Sequence, residues 1–217
     1  MHKNLLNLQE IKKEIYLKKS ESQNVNIIAV SKTFSMAHIM PLIKNGHTHF
    51  GENKVQEANI KWSNVLEDNK DIKLHMLGKL QTNKVKQAVK LFDYIHSLDS
   101  LKLANKILLE QKKINKELKL FIQLNVDNED QKNGIAINEL QDFYECLVNE
   151  MKMNIIGLMC IPSIHSDKKI IYDKMNLLKK KMGLNELSMG MSSDYVEAIK
   201  FGSTYVRIGS KIFGQRN

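Results

Sequence analysis

Eight short strand-like runs recur along this chain with helix-spaced stretches between them, and few folds satisfy such an alternation. Strands are expected over 25–31, 48–51, 72–77, 94–97, 118–126, 154–160, 186–189 and 205–207. The intervening helices, for example 81–91, 101–116, 138–151 and 167–181, carry apolar residues three and four positions apart. The first strand, Asn26-Ile27-Ile28-Ala29-Val30, lacks polar alternation, as a strand covered on both faces of a parallel sheet does. Repeated βα units call for such a sheet, and eight of them favour closure into a barrel over an open doubly wound sheet. The expected fold is therefore α/β, a single (β/α)8 TIM barrel. A length of 217 residues suits one barrel, and no Gly-, Pro- or Ser-rich linker, repeat or low-complexity tract divides it, so one domain over 1–217 is expected.

An additional N-terminal helix precedes the first strand, because Leu5, Leu8, Ile11 and Ile15 share one face within residues 4–20. Pro41 falls inside the first crossover helix, expected over 36–45, where its missing N–H and its ring predict a kink or a late start. Trp62 and the methionines fit core packing on helices. Cys146 and Cys160 lack the close spacing of metal or redox pairs and are expected as small buried hydrophobes. The net charge of +9 comes from lysines scattered along the chain, without a basic stripe interleaved with aromatics, so nucleic acid is not an expected partner. Such a field does favour a small anionic ligand. No apolar run approaches the roughly 18 residues of a membrane span, and residues 1–7 lack the apolar core of a secretion signal. The expectations are no membrane partner and a cytoplasmic location.

Sites in such barrels gather at the C-terminal ends of the strands, and there this chain turns polar. Lys32 follows the first strand and Gly51-Glu52-Asn53 the second; His75 and residues 78–83 belong to the third, Gln123 and Asn125 to the fifth. Met189-Gly190-Met191-Ser192-Ser193-Asp194 leads from the seventh strand into a helix, and Arg207-Ile208-Gly209-Ser210 leads from the eighth into a short turn. Free amides, serine hydroxyls and close backbone approach at glycine make both segments suited to a phosphate. Ser192 fits equally an ordinary helix N-cap. A lysine nucleophile beside a phosphate cradle is the more specific combination. Glu52 fits a base near Lys32 or a loop anchor accepting backbone amides, and the sequence separates neither. His75 reads as a hydrogen-bonded core histidine, and since no second ligand has metal spacing with it, no metal is expected.

Several segments together are similar to one family: Ala29-Val30-Ser31-Lys32-Thr33, Phe50-Gly51-Glu52-Asn53-Lys54-Val55-Gln56-Glu57 and His75-Met76-Leu77-Gly78-Lys79-Leu80-Gln81-Thr82-Asn83-Lys84. Gln123-Leu124-Asn125 with Glu129, Lys132 and Gly134 continues the match, as do Gly157-Leu158-Met159-Cys160-Ile161-Pro162 and Leu187-Ser188-Met189-Gly190-Met191-Ser192-Ser193-Asp194. The stretch from Gly202 to Gly214 completes it. The chain resembles the pyridoxal phosphate homeostasis proteins, the YggS/PROSC family, over essentially its whole length. The resemblance implies a barrel like the N-terminal domain of alanine racemases and a pyridoxal 5′-phosphate (PLP) cofactor, with Lys32 matching the Schiff-base lysine. Ser192, Gly209 and Ser210 match the phosphate cradle and Arg207 the arginine facing the pyridine nitrogen; Asn53, inside the second motif, joins the cofactor-binding set. Family members usually carry threonine at the position of Ser210, a change that keeps a hydroxyl and an amide.

The function so implied is PLP binding in vitamin B6 homeostasis, buffering or delivering the cofactor, with PLP-dependent apoenzymes as partners and a monomer as the expected state. The alternatives are a PLP-dependent amino-acid racemase and a cofactor-independent barrel isomerase of a phosphorylated metabolite with Lys32 as electrophile or base. No residue is assigned a catalytic role. An arginine cation at the ring nitrogen weakens the ring as an electron sink. The chain also reaches Asn217 directly after the eighth unit, so the C-terminal β-domain of racemases is expected to be absent, and robust turnover is not anticipated.

Overall fold

In the computed structural model, β1 (Asn26–Val30) pairs in parallel with β2 (His49–Glu52) on one side and with β8 (Tyr205–Ile208) on the other, placing Ile28 opposite Arg207. The sheet therefore closes on itself. The structure describes residues 2–127 and 133–215, so Glu129 and Lys132 of the matched motifs lie outside the described residues. Around the barrel, β3 (Lys73–Met76), β4 (Tyr94–Leu98), β5 (Lys119–Leu124), β6 (Ile155–Cys160) and β7 (Glu186–Met191) follow in sequence order, each parallel to its neighbours. This is the (β/α)8 TIM barrel expected, with each strand inside or within two residues of its expected segment.

The helices are α1 (Lys3–Lys18), α2 (Met36–Lys44), α3 (Val55–Asp68), α4 (Val85–Leu91), α5 (Leu101–Ile114), α6 (Leu140–Glu145), α7 (Lys168–Lys181), α8 (Tyr195–Lys200) and α9 (Ser210–Phe213). The additional helix α1 buries Leu5, Leu8, Ile11 and Ile15, the face its spacing marks, and packs against α2, α8 and α9. Helix α2 starts at Met36 and runs through Pro41, so the late start does not occur. Proline there costs about 3 kcal/mol, but Ile39 and Leu42 are fully buried on the same short helix, each contributing about 1.5–3 kcal/mol. Cys160 is buried as expected; Cys146 is only half-buried, a correction. Leu140, Phe143 and Leu147 take the inward positions of α6 and of the π-helical turn Cys146–Glu150, which leaves the Cys146 thiol at the margin beside Glu150.

Strand alternation divides the buried residues into two sets. Outward side chains such as Ala29, Phe50, Leu74, Ile122, Leu158 and Val206 meet the helices in the main core. Inward ones, Ile28, Val30, Leu77, Tyr94, Phe121, Met159 and Tyr205, fill the barrel interior together with polar groups. Among the described residues no helix is long and apolar enough to cross a membrane.

Candidate functional site

The ends of β1, β2, β7 and β8 open on one cavity of about 350 Å³, and all six residues expected to bind the cofactor, Lys32, Asn53, Ser192, Arg207, Gly209 and Ser210, line it. Val30, Phe34, Leu77, Ile161 and Met191 supply its apolar walls. A largely apolar pocket of this size with a few convergent polar groups suits a small ligand. Its geometry follows from two glycines. A side chain on Gly78 would come within 2.4 Å of the Asn53 carbonyl oxygen, so only glycine lets the loop after β3 pass Asn53 so closely. Gly190 adopts φ +90°, and a methyl there would meet Ala198 at 2.6 Å, so only glycine lets β7 turn into α8.

At one end of the cavity the Ser192 hydroxyl accepts the Gly209 amide at 3.2 Å and the Lys211 amide at 3.3 Å, tying the loop after β7 to the start of α9. Ser192 is therefore no helix cap. Asp194 occupies the cap position of α8. Gly209 also sits where a side chain would make ordinary contacts with Val30, so the fold alone leaves room for one.

At the floor lies Arg207, 6% exposed. Its Nη1 donates to the Ser188 carbonyl at 2.6 Å and to Ser188 Oγ at 2.8 Å, and Nη2 donates to the Cys160 carbonyl at 2.9 Å. Burial pushes its pKa down, with Cys160, Tyr172 and Asp194 acting in the other direction. Below it a line of hydrogen bonds runs through the barrel: Ser188 Oγ to His96 Nδ1, His96 Nε2 to His75 Nδ1, and His75 Nε2 to His49 Nδ1, each 2.9 Å. Burial depresses His75 and His96 well below the usual histidine range, with neighbouring cationic groups adding to the effect, so both are neutral. His75 stacks on Tyr94 and His96 on Phe121. His75 is thus the hydrogen-bonded core histidine expected of it, and among the described residues no cluster of histidine, cysteine or carboxylate has a metal-binding arrangement.

Glu52 is fully buried and does not line the cavity. Its Oε1 accepts Ser31 Oγ at 2.7 Å, Trp62 Nε1 at 2.9 Å and Lys61 Nζ at 3.0 Å, so it ties β1 to α3 through side-chain donors in place of loop amides. Trp62 is in the core as expected, with this bond in addition. Sequence reasoning missed Ser188, His49 and His96. Their signal was the alternation of polar inward with apolar outward residues along each strand, as in His49-Phe50 and Ser188-Met189, which becomes readable once the barrel is closed.

The described residues present an amine, a guanidinium, hydroxyls and apolar walls around one cavity, a donor set that fits an aldehyde-bearing aromatic phosphate. The alanine racemase N-terminal domain family matches residues 6–217. The pyridoxal phosphate homeostasis protein of Pasteurella multocida is 34% identical over 228 residues, covering 100% of this chain and 98% of that one. PipY of Synechococcus elongatus, solved without PLP, superposes with a TM-score of 0.88 at 32% identity over 98% of this chain and 100% of that one. The same protein solved with PLP bound gives 0.85 over 97% and 100%. Alanine racemase of Clostridium difficile shares the barrel at 15% identity, with a TM-score of 0.73 over 99% of this chain and 57% of its own. By coverage and identity, this chain belongs to the pyridoxal phosphate homeostasis proteins, within the alanine racemase N-terminal domain family.

Proposed function

We propose that this protein binds PLP in the mouth cavity through Lys32 and serves PLP homeostasis, buffering the cofactor or delivering it to PLP-dependent apoenzymes as a monomeric, single-domain protein of the cytoplasm. The observation that carries the reading is the convergence of Lys32, Arg207 and the Ser192, Gly209 and Ser210 turn on one cavity. The 32% identity to PipY, a protein solved with PLP bound, supports it. A reducing compartment is consistent with two unpaired cysteines, Cys160 having its thiol pushed up to about 12 by burial.

When bound, PLP supplies an aldehyde and an electron-withdrawing ring. Lys32 provides the amine for covalent attachment. Ser192 and Ser210 would provide hydroxyls for the phosphate, and the Gly209 amide, which donates to Ser192 Oγ at 3.2 Å, would reach it by sharing or exchanging that bond. Asn53 and the apolar walls of the cavity would hold the ring. Arg207, fixed by three hydrogen bonds and always charged, would offer the ring nitrogen a cation that accepts no proton. A cation there would disfavour protonation of the ring nitrogen and so weaken the ring as an electron sink.

The purified protein is expected to show a visible absorption band from bound PLP. Borohydride reduction followed by peptide mass mapping is expected to place the pyridoxyl group on Lys32. A label consistently on another lysine overturns the assignment. Amino-acid racemisation near the usual enzyme turnover of about 1–1000 s⁻¹ would overturn the carrier reading.

A further inference from the structure

The residue after Lys32 is held in an unfavourable backbone conformation. Thr33 has φ +68°, a region that branched side chains rarely occupy. The Phe34 amide donates to the Ser31 carbonyl at 3.1 Å, closing a β-turn with Lys32 second and Thr33 third. Positive φ at the third position alone is the pattern of a type II turn, where glycine is the usual occupant. An isolated turn with threonine there would open.

Helix α3 keeps it closed from outside the cavity. Glu57 Oε1 accepts the Thr33 amide at 2.6 Å, and Lys61 Nζ donates to the Ser31 carbonyl at 2.9 Å. The two residues, one helical turn apart, also pair with each other at 3.0 Å. Lys61 is anchored again by the buried Glu52, at 3.0 Å. The peptide groups on both sides of Lys32 are thus gripped by a single charged pair, and neither Glu57 nor Lys61 lines the cavity. Burial raises the Glu57 pKa, but the Thr33 and Lys61 bonds outweigh it and hold the carboxyl below its usual range.

We propose that Glu57 and Lys61 are positioning residues for the Lys32 amine: through the Ser31 carbonyl and the Thr33 amide they hold the strained turn that aims Lys32 into the cavity. This rests on the reading of Lys32 as the attachment point for PLP. In attachment the Lys32 nitrogen gives both its protons to the aldehyde oxygen, which leaves as water, and gains a C=N bond to the aldehyde carbon. The amine must meet that carbon along one direction, and small misplacements slow such steps steeply. The phosphate contacts and, apart from Phe34, the apolar walls of the cavity come from outside this turn.

The test compares PLP with pyridoxine 5′-phosphate, which has an alcohol where PLP has the aldehyde and cannot bond to Lys32. Glu57→Ala is expected to slow PLP capture about ten-fold or more while changing the affinity for pyridoxine 5′-phosphate far less, since only Phe34 of the turn joins the apolar wall. Glu57→Gln, which keeps an acceptor for the Thr33 amide, is expected to stay close to the parent. Thr33→Gly relieves the conformational cost, so adding it to Glu57→Ala is expected to restore much of the capture rate. Equal weakening of both ligands, unchanged capture of PLP, or no rescue by Thr33→Gly would each overturn the positioning role. Borohydride mapping of the parent separates the two readings. A label away from Lys32 removes the attachment site and this proposal together, whereas a label on Lys32 without the aldehyde-specific defect removes this proposal alone.

Discussion

Arg207 carries a permanent charge at a place where the barrel gives it no carboxylate: among the described residues no ion pair includes it. Two carbonyls and the Ser188 hydroxyl take that role. A hydrogen bond to a buried charge contributes about 1.5–3 kcal/mol, so Ser188→Ala is expected to lower the melting temperature by about 3–12 °C in a chain this size. An unchanged melting temperature would mean that the carbonyls alone satisfy the guanidinium. At this scale the sequence was legible for residues at strand ends. Lys32, Asn53, Ser192, Arg207, Gly209 and Ser210 were all assigned to one mouth because parallel strands deliver their C-terminal ends to one side. Ser188, Glu57 and Lys61 were not legible. Ser188 reaches Arg207 because the pairing of β7 and β8 shifts register between Ser188 and Met191. The partners of Glu57 and Lys61 are backbone groups across the chain that no side-chain pattern marks.

Element boundaries were legible where apolar spacing was strong and blurred where a helix changed pitch. The stretch expected as a helix over 81–91 is a 3-10 turn, Thr82–Lys84, followed by α4. The stretch over 138–151 passes from a 3-10 turn through α6 into a π-helical turn, which is why Cys146 sits at the margin. Periodicity alone reports which residues face the core and not how the backbone reaches them. The junction of β7 and α8 offers an element-scale prediction. In Gly190→Ala the added methyl meets Ala198 and the backbone is at φ +90°, so a loss of roughly 2 kcal/mol or more is expected. Urea unfolding measures it directly. Because the same junction delivers Ser192 to the cavity, phosphate-dependent retention of PLP is expected to fall as well, and a stable variant with parental retention would contradict that link.

Across the molecule as a whole, three neutral histidines are buried among the described residues. Burial lowers the pKa of His47 to about 4, with Lys12 adding to the shift, and depresses His75 and His96 well below the usual range. The unfolded chain therefore takes up protons near pH 6.5 that the folded chain refuses, so stability is complete above that pH and falls below it, for His47 down to about pH 4. Each such histidine contributes a slope of about 1.4 kcal/mol per pH unit in that window. Unfolding midpoints are expected to drop steeply between about pH 6.5 and 5, before most carboxylates protonate, and a flat profile there would contradict neutral burial. Closure has an electrical consequence too. The Ser188 hydroxyl receives Arg207 Nη1, and its own proton finds an acceptor among the described residues only at His96 Nδ1. That sets one tautomer for the whole line, with His96 and His75 each donating from Nε2 to the next ring. The bond dipoles then add head to tail, as in a short helix, and turn the barrel axis into a polarised column whose negative end meets the guanidinium. The molecule thus stabilises a cation beside its ligand mouth with oriented neutral groups, and the strength of that field depends on keeping the column uncharged.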